Sequence, residues 1–294
     1  MTTSEPARSR TPIAVAGATG AQGGAVTAAL LAQRRSVRAL CRNPNGDAAA
    51  SLAAAGAEVV AADLADRSSL DTALEGAAGL FSVQDFLAAG VEAEIEMGLN
   101  LTDAAVAANV GHVVYSAAST SDRNTGVAHL DSKWMIEQRL RASGLPFTVF
   151  RPAAFMDNWE WERDDIVRTG SISLPLRPDT VYRQVAVADI GAMAALAFDD
   201  PERWVGRIAP LAGDAATPVQ IAQMFARVTG GAVEYRQMSW AECLETQGEE
   251  LTSMYRAFDE FGMDGDPAFL RRWHRDSLDL EAYLVARDWN EAAS

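Results

Sequence analysis

"IAVAGATGAQGGAV", residues 13–26, is an apolar run that breaks into glycines at Gly17, Gly20 and Gly23 before an alanine-rich stretch. A turn that cradles phosphate needs glycine where the chain bends sharply, where the backbone approaches the pyrophosphate, and where the following helix packs on the strand. The three glycines have that order, with Thr19, Ala21 and Gln22 among them. The helix opening here offers unpaired N–H groups and the positive end of its dipole to an anion. Such spacings also arise by chance in alanine-rich chains, so the surroundings decide. This stretch follows an apolar strand, opens a helix and begins a series of βαβ units, which is the setting of a dinucleotide-binding turn.

Working outward, short Val- and Ile-rich runs alternate with longer Ala- and Leu-rich stretches from Pro12 to about Arg151, the signature of an α/β fold. Strands are expected at 13–17, 37–41, 57–62, 79–83, 112–116 and 147–151. Their unbroken apolar character fits a parallel sheet covered on both faces. Helices are expected at 21–34, 47–55, 67–76, 90–109 and 129–143, with stops at Asn109–Gly111 and at Gly144 before Pro146. After Arg151 the rhythm changes and aromatics gather, among them Trp159, Trp161, Trp240, Tyr255, Phe258 and Trp273. "SISLPLRPDT", residues 171–180, reads as a hairpin or loop. "VAVADIGAMAALAF", residues 185–198, reads as a return to the first domain, with Asp189 as the N-cap of a helix. The expected organisation is a disordered tail over 1–11, a nucleotide-binding domain over 12–155 and a smaller lobe over 156–294.

The 294 residues are 49% hydrophobic and 22% charged, enough for a sizeable core. A net charge of -15 disfavours direct binding of nucleic acid, which needs clustered Lys and Arg. Cys41 and Cys243 stand far apart without neighbours at metal-ligand spacing, so neither a disulfide framework nor a metal site is expected. The N-terminus lacks a signal-peptide core and no later run approaches a membrane span, which reads as a cytoplasmic protein with no membrane partner.

The second strand selects the dinucleotide. An NAD enzyme commonly ends this strand with an acidic residue for the ribose hydroxyls. Here "VRALCRNP" puts Cys41 at that position and Arg42 next. A guanidinium can pair with a 2′-phosphate that a carboxylate would repel, so NADP(H) is expected, unless Arg42 is only a solvated surface residue. Asp63 and Leu64 follow the third strand, where a carboxylate can accept from the adenine amine and an apolar side chain can flank the ring. Asp63 equally suits a helix cap or turn.

With "GATGAQGG", "VRALCRNP", "ADLAD", "GLFSVQ", "HVVYSAAS", "HLDSKWMIEQRLRASGLPFTVFRPAAFMDNW" and "VAVADIG" in this order, residues 12–215 resemble the NmrA-like branch of the atypical short-chain dehydrogenases/reductases. The resemblance implies a Rossmann-type doubly wound parallel sheet with a smaller C-terminal α+β substrate lobe, and the preference for NADP(H) that many members have. Family members include quinone and azo reductases, relatives acting on phenylpropanoids, and dinucleotide-binding regulators without turnover. It carries no motif for the segment after about residue 215.

Most short-chain reductases pair a tyrosine with a lysine four residues later, the lysine holding the nicotinamide ribose and the phenol protonating the carbonyl oxygen. In "HLDSK" Lys133 aligns with the lysine, while His129 stands where the tyrosine would be. Residues four apart share a helix face, so both can point into one cleft. The superfamily's serine falls at Ala118, with Ser116 and Ser119 nearby. Gln84 and Ser116 are further cofactor candidates, and Phe86, Phe155, Met156 and Trp159 are candidate substrate walls. Each aromatic is as readily ordinary core packing.

The residues fit two main functions, and a biosynthetic enzyme that reduces or isomerises one specialised metabolite is not separable from the first of them. One is an NADPH-dependent oxidoreductase for a small apolar acceptor such as a quinone, enone or ketone, with Lys133 and His129 as catalytic groups. The other is a non-catalytic NADP(H)-binding redox sensor acting through a protein partner, which the replaced tyrosine and serine would suit. A homodimer or a regulatory partner is compatible with either.

Overall fold

The computed structural model describes residues 11–291, so the expected tail lies, but for its last residue, outside the described residues. In chain order the elements are β1 Ile13–Val15, α1 Ala21–Ala32, β2 Val37–Cys41, α2 Asp47–Ala54, β3 Glu58–Ala61, α3 Arg67–Leu74, β4 Gly79–Ser82, α4 Phe86–Ala89, α5 Val91–Ala107, β5 Val113–Ser116, α6 Ala128–Ala142 and β6 Phe147–Pro152. There follow β7 Ala154–Phe155, α7 Arg163–Thr169, β8 Ser171–Leu174, β9 Tyr182–Val185, α8 Val187–Asp199, α9 Pro201–Trp204, β10 Ile208–Leu211 and β11 Asp214–Ala216. The last are α10 Pro218–Thr229, β12 Glu234–Gln237, α11 Trp240–Phe261, α12 Pro267–Trp273 and α13 Leu280–Ala286.

These form two units. The first contains the described residues up to Ala117 together with Ser132–Phe150 and Ile190–Ile208; the second contains Ala118–Asp131, Arg151–Asp189 and the described residues from Ala209 onward. The main sheet has seven strands in the order β10-β6-β5-β4-β1-β2-β3. Every neighbour pair in it runs parallel, and the order reverses between β1 and β4. That reversal opens a crevice beyond the strand ends, where doubly wound sheets take their ligands.

Small residues let the helices of the first unit lie close. A Cβ on Gly191 of α8 would stand 2.6 Å from the Ala25 carbonyl oxygen of α1, and one on Gly98 of α5 would stand 2.5 Å from Ile136 of α6. The core over this part of the sheet is aliphatic, with Leu70, Leu74, Leu80, Leu101 and Leu140 almost fully buried.

The second unit has a three-stranded sheet, β11-β9-β7, and a two-stranded one, β12-β8. Residues 171–174 do not form a hairpin: they pair in parallel with 234–237, Ser171 opposite Glu234. The aromatics pack this core, Phe225 lying edge-on to Trp159 at 5.3 Å and to Trp289 at 4.9 Å. Asp189 is not the N-cap of α8. The helix starts two residues earlier, where Asp157 accepts from the Val187 amide at 2.9 Å. Asp189 instead accepts from the Leu278 amide at 3.0 Å and lies 3.2 Å from His274 Nε2. Among the described residues, no helix is long and apolar enough to cross a membrane.

Candidate active site

The glycine turn sits at the end of β1, beside the end of β4. Gly17 takes a φ of +61°, which favours glycine, and its carbonyl accepts from the Gly20 amide at 2.8 Å to close the turn. A Cβ on Gly23 would stand 2.2 Å from the Gly17 oxygen, so only glycine lets the first turn of α1 press on the bend. No side chain caps α1. Its first amides, those of Ala21, Gln22 and Gly23, therefore have no intrahelical partner and suit an anion. Thr19 is exposed beside them, and Gln22 Oε1 accepts from Ser116 Oγ at 2.6 Å.

Arg42 stands exposed just past β2, and among the described residues no hydrogen bond or ion pair engages its guanidinium. The neighbouring Cys41 is buried and unpaired, and burial pushes its thiol upward, towards the neutral form. No carboxylate stands at the end of β2 to repel a 2′-phosphate. Asp63 forms a turn, its Oδ1 accepting from the Ala65 amide at 3.0 Å, while Asp66 caps α3. Leu64 is half-buried against the core. Gln84, past β4, donates Nε2 to Ser82 Oγ at 3.0 Å, and its buried Oε1 has no partner. The uncapped helix start, the unengaged guanidinium and this orphaned acceptor are all compatible with a phosphorylated dinucleotide.

Lys133 is the only lysine in the chain; every other Lys or Arg position is arginine. Its Nζ donates to Glu94 Oε1 at 2.6 Å and lies 5.9 Å from the centre of the half-buried Phe86 ring. Glu94 was not among the residues expected at the site. It is fully buried in the first turn of α5, and its Oε2 accepts from Ser132 Oγ. Tyr115, beside this cluster, donates to the Lys133 carbonyl at 3.3 Å; burial and then the charges of Glu94 and Glu137 push its phenol well up, so it stays neutral. A clue to Glu94 does exist: it shares the buried stripe of α5 with Gly98, Leu101 and Ala105, where helical spacing predicts an apolar residue.

His129, one helical turn before Lys133 on α6, is buried and has a different carboxylate. Its Nδ1 lies 2.6 Å from Glu250 Oε1, and the same oxygen accepts from the His129 amide at 2.8 Å. Glu250 thus orients the ring and also satisfies an amide at the start of α6. It lies two residues past Gly248, where α11 kinks with a φ of +79°. Burial and the charge of Glu250 raise the carboxyl of nearby Asp131. Sequence gave no sign of Glu250. Ser119 is buried, its Oγ accepting from the Asp264 amide at 2.8 Å. Of the candidate substrate walls, Met156 and Trp159 are core residues; Trp159 donates Nε1 to Gln184 Oε1 at 2.5 Å. Phe155 is half-buried on β7. Among the described residues no cluster of three or more His, Cys, Asp or Glu could hold a metal.

The model of the NmrA-like family matches residues 9–287, nearly the whole chain. The chain belongs to the NmrA-like family. This NmrA-like protein is 31% identical over 264 residues to an NmrA-like family domain-containing oxidoreductase of Aspergillus campestris, covering 80% of this chain and 78% of that one. It is also similar to the solved structure of an NADPH-dependent quinone oxidoreductase of Escherichia coli complexed with NADPH, with TM-score 0.82, 25% identity and coverage of 94% of this chain and 99% of that one. The negative transcriptional regulator NmrA in complex with NADP shares the fold, with TM-score 0.79, 23% identity and coverage of 95% and 99%.

Proposed function

We propose that this protein is an NADPH-dependent oxidoreductase that reduces a small apolar acceptor of the quinone, enone or ketone type. The observation that carries this reading is Lys133: the only lysine is drawn in against a buried carboxylate, in the same unit as the glycine turn. The names of the Aspergillus and Escherichia coli relatives support it.

In this reading the uncapped amides of α1 and the turn of Gly17, Thr19 and Gly20 hold the pyrophosphate, while Arg42 pairs with the 2′-phosphate. Asp63 and Leu64 take the adenine. The Gln84 Oε1 acceptor and Ser116 lie at the ends of β4 and β5, and Lys133 Nζ donates to the nicotinamide ribose. When bound, the nicotinamide supplies the hydride. His129 supplies the proton, with Glu250 holding its Nδ1 and stabilising the charged ring. An imidazole is an adequate acid for an acceptor that is already electrophilic; an unactivated ketone needs more help. Phe86, half-buried near Lys133, is the aromatic contact for the acceptor; Met156 and Trp159 act through packing.

NADPH oxidation by the purified protein, followed across quinones, enones and simple ketones, tests the reading. Turnover is expected with quinones or enones and slower with ketones. Tight NADPH binding without turnover on any of them would overturn it in favour of a dinucleotide-sensing regulator, the reading that the missing tyrosine and serine suit.

A further inference from the structure

Helices α5 and α6 run side by side in the same direction. Glu94 meets Ser132 and Lys133, Gly98 faces Ile136, and Asp103 pairs with Arg139. The missing side chain at Gly98 allows the helices to approach closely. One turn before it, that approach brings the Glu94 carboxylate against α6. The pair is therefore built into the helix packing rather than formed by flexible side chains on a surface.

Stability alone is a poor reason for such a pair. A buried ion pair loses in desolvation much of what it gains in attraction, and apolar side chains of similar size often serve the fold as well. Nor is lysine the residue best suited to a buried carboxylate, since the planar fork of arginine matches it better. This chain uses arginine at every other basic position, including Arg151, which is buried and 2.5 Å from Asp122. What lysine offers is a compact ammonium with three donors on one atom. One donor goes to Glu94, and the ammonium also lies near the Phe86 ring.

We propose that Glu94 is a positioning residue that fixes the Lys133 ammonium so that its remaining donors meet the ribose hydroxyls of the nicotinamide half of the cofactor. Ser132 assists by occupying the second carboxylate oxygen, which leaves Oε1 to the lysine. The proposal rests on the reading of Lys133 as a ribose-binding residue. It also divides the work on α6: Lys133 is a fixed donor, and proton delivery falls to His129.

Because the chain has one lysine, an acetylating N-hydroxysuccinimide ester followed by peptide mass spectrometry reads that residue alone, with the α-amino group as internal reference. Glu94→Gln removes the charged partner that holds Nζ in place. Acetylation of Lys133 should then be faster by about tenfold, the factor that goes with release of one charge-assisted hydrogen bond. By calorimetry NADPH should bind about tenfold more weakly, the cost of roughly one misplaced hydrogen bond. Glu94→Asp keeps the charge but withdraws it by one methylene, and should fall between Glu94→Gln and the parent in both measurements. If the glutamine variant does not fold, the aspartate variant is read by the same criteria.

Unchanged labelling and unchanged NADPH affinity in folded variants would overturn the proposal. So would faster labelling without weaker NADPH binding, which would make Glu94 a structural partner only. A separate arm tests the underlying reading: saturating NADPH should protect Lys133 in the parent protein. Absence of protection would overturn the ribose role of Lys133 itself, and the proposal with it. Protection combined with indifferent Glu94 variants would overturn the role of Glu94 alone.

Discussion

At the residue level the proposed cofactor preference turns on Arg42. Its guanidinium follows a strand that ends in a neutral thiol where a carboxylate would favour NAD. Arg42→Ala should weaken NADPH binding by about tenfold to a hundredfold, the range of a charge-assisted hydrogen bond, and leave NADH binding within about twofold. Calorimetry with both cofactors checks this; equal losses for the two would show that Arg42 does not read the phosphate. The candidate was legible in the sequence because the strand and the basic residue after it are read from a few adjacent positions. Glu94 and Glu250 were not legible in that way. Each meets its partner across 39 and 121 positions of chain, respectively, and no periodicity pairs residues so far apart.

At the scale of elements, local signals placed most helices and strands of the first unit to within a few residues, because caps and breakers act within one turn. Helix α10 shows such a signal fully realised. Thr217 accepts from the Gln220 amide at 3.3 Å, and the Gln220 side chain accepts from the Thr217 amide at 2.8 Å, with Pro218 in the first turn. Thr217→Ala should cost about 1 kcal/mol. That corresponds to about 2–4 °C in the unfolding midpoint by scanning calorimetry. No change would mean that solvent caps the helix equally well. Where pairing is non-local, local signals fail. "SISL" suits a hairpin arm, yet its strand partner arrives some sixty residues later, as the register of Ser171 with Glu234 shows. Likewise α8 is capped by Asp157 from an earlier segment, which frees Asp189 to meet His274.

At the scale of the whole molecule, two histidines tie stability to pH with opposite signs. Burial of His112 depresses its pKa to about 4. Thr148 donates its hydroxyl to the Trp204 carbonyl at 2.8 Å and so accepts from His112 Nε2 at 2.9 Å, while the buried Nδ1 has no partner for a second proton. The unfolded chain therefore takes up the proton first as pH falls. The contribution of His112 is complete above its ordinary value near 6.5 and is lost between there and about 4. The loss is on the order of 3 kcal/mol. His274 is raised by its hydrogen bond to Asp189, so its contribution is complete below the ordinary value and is lost as pH rises through the folded one. Urea unfolding at pH 7 and pH 4.5 should show His112→Asn losing less stability than the parent over that interval. Parallel losses would remove His112 from the acid limb.

Local sequence sets the glycine turn, the βαβ order of the first unit and the basic residue after β2. Each follows from sterics and charge within a few residues of chain: a bend that only glycine tolerates, a strand buried on both faces, a guanidinium that follows a strand end without a carboxylate. Only packing in three dimensions selects the carboxylates that stand behind His129 and Lys133 of α6. Glu94 reaches Lys133 because Gly98 lets two helices close up. Glu250 reaches His129 from a helix that restarts just after a kink at Gly248. Such partners are chosen by packing, and packing brings together residues whose positions in the sequence are unrelated.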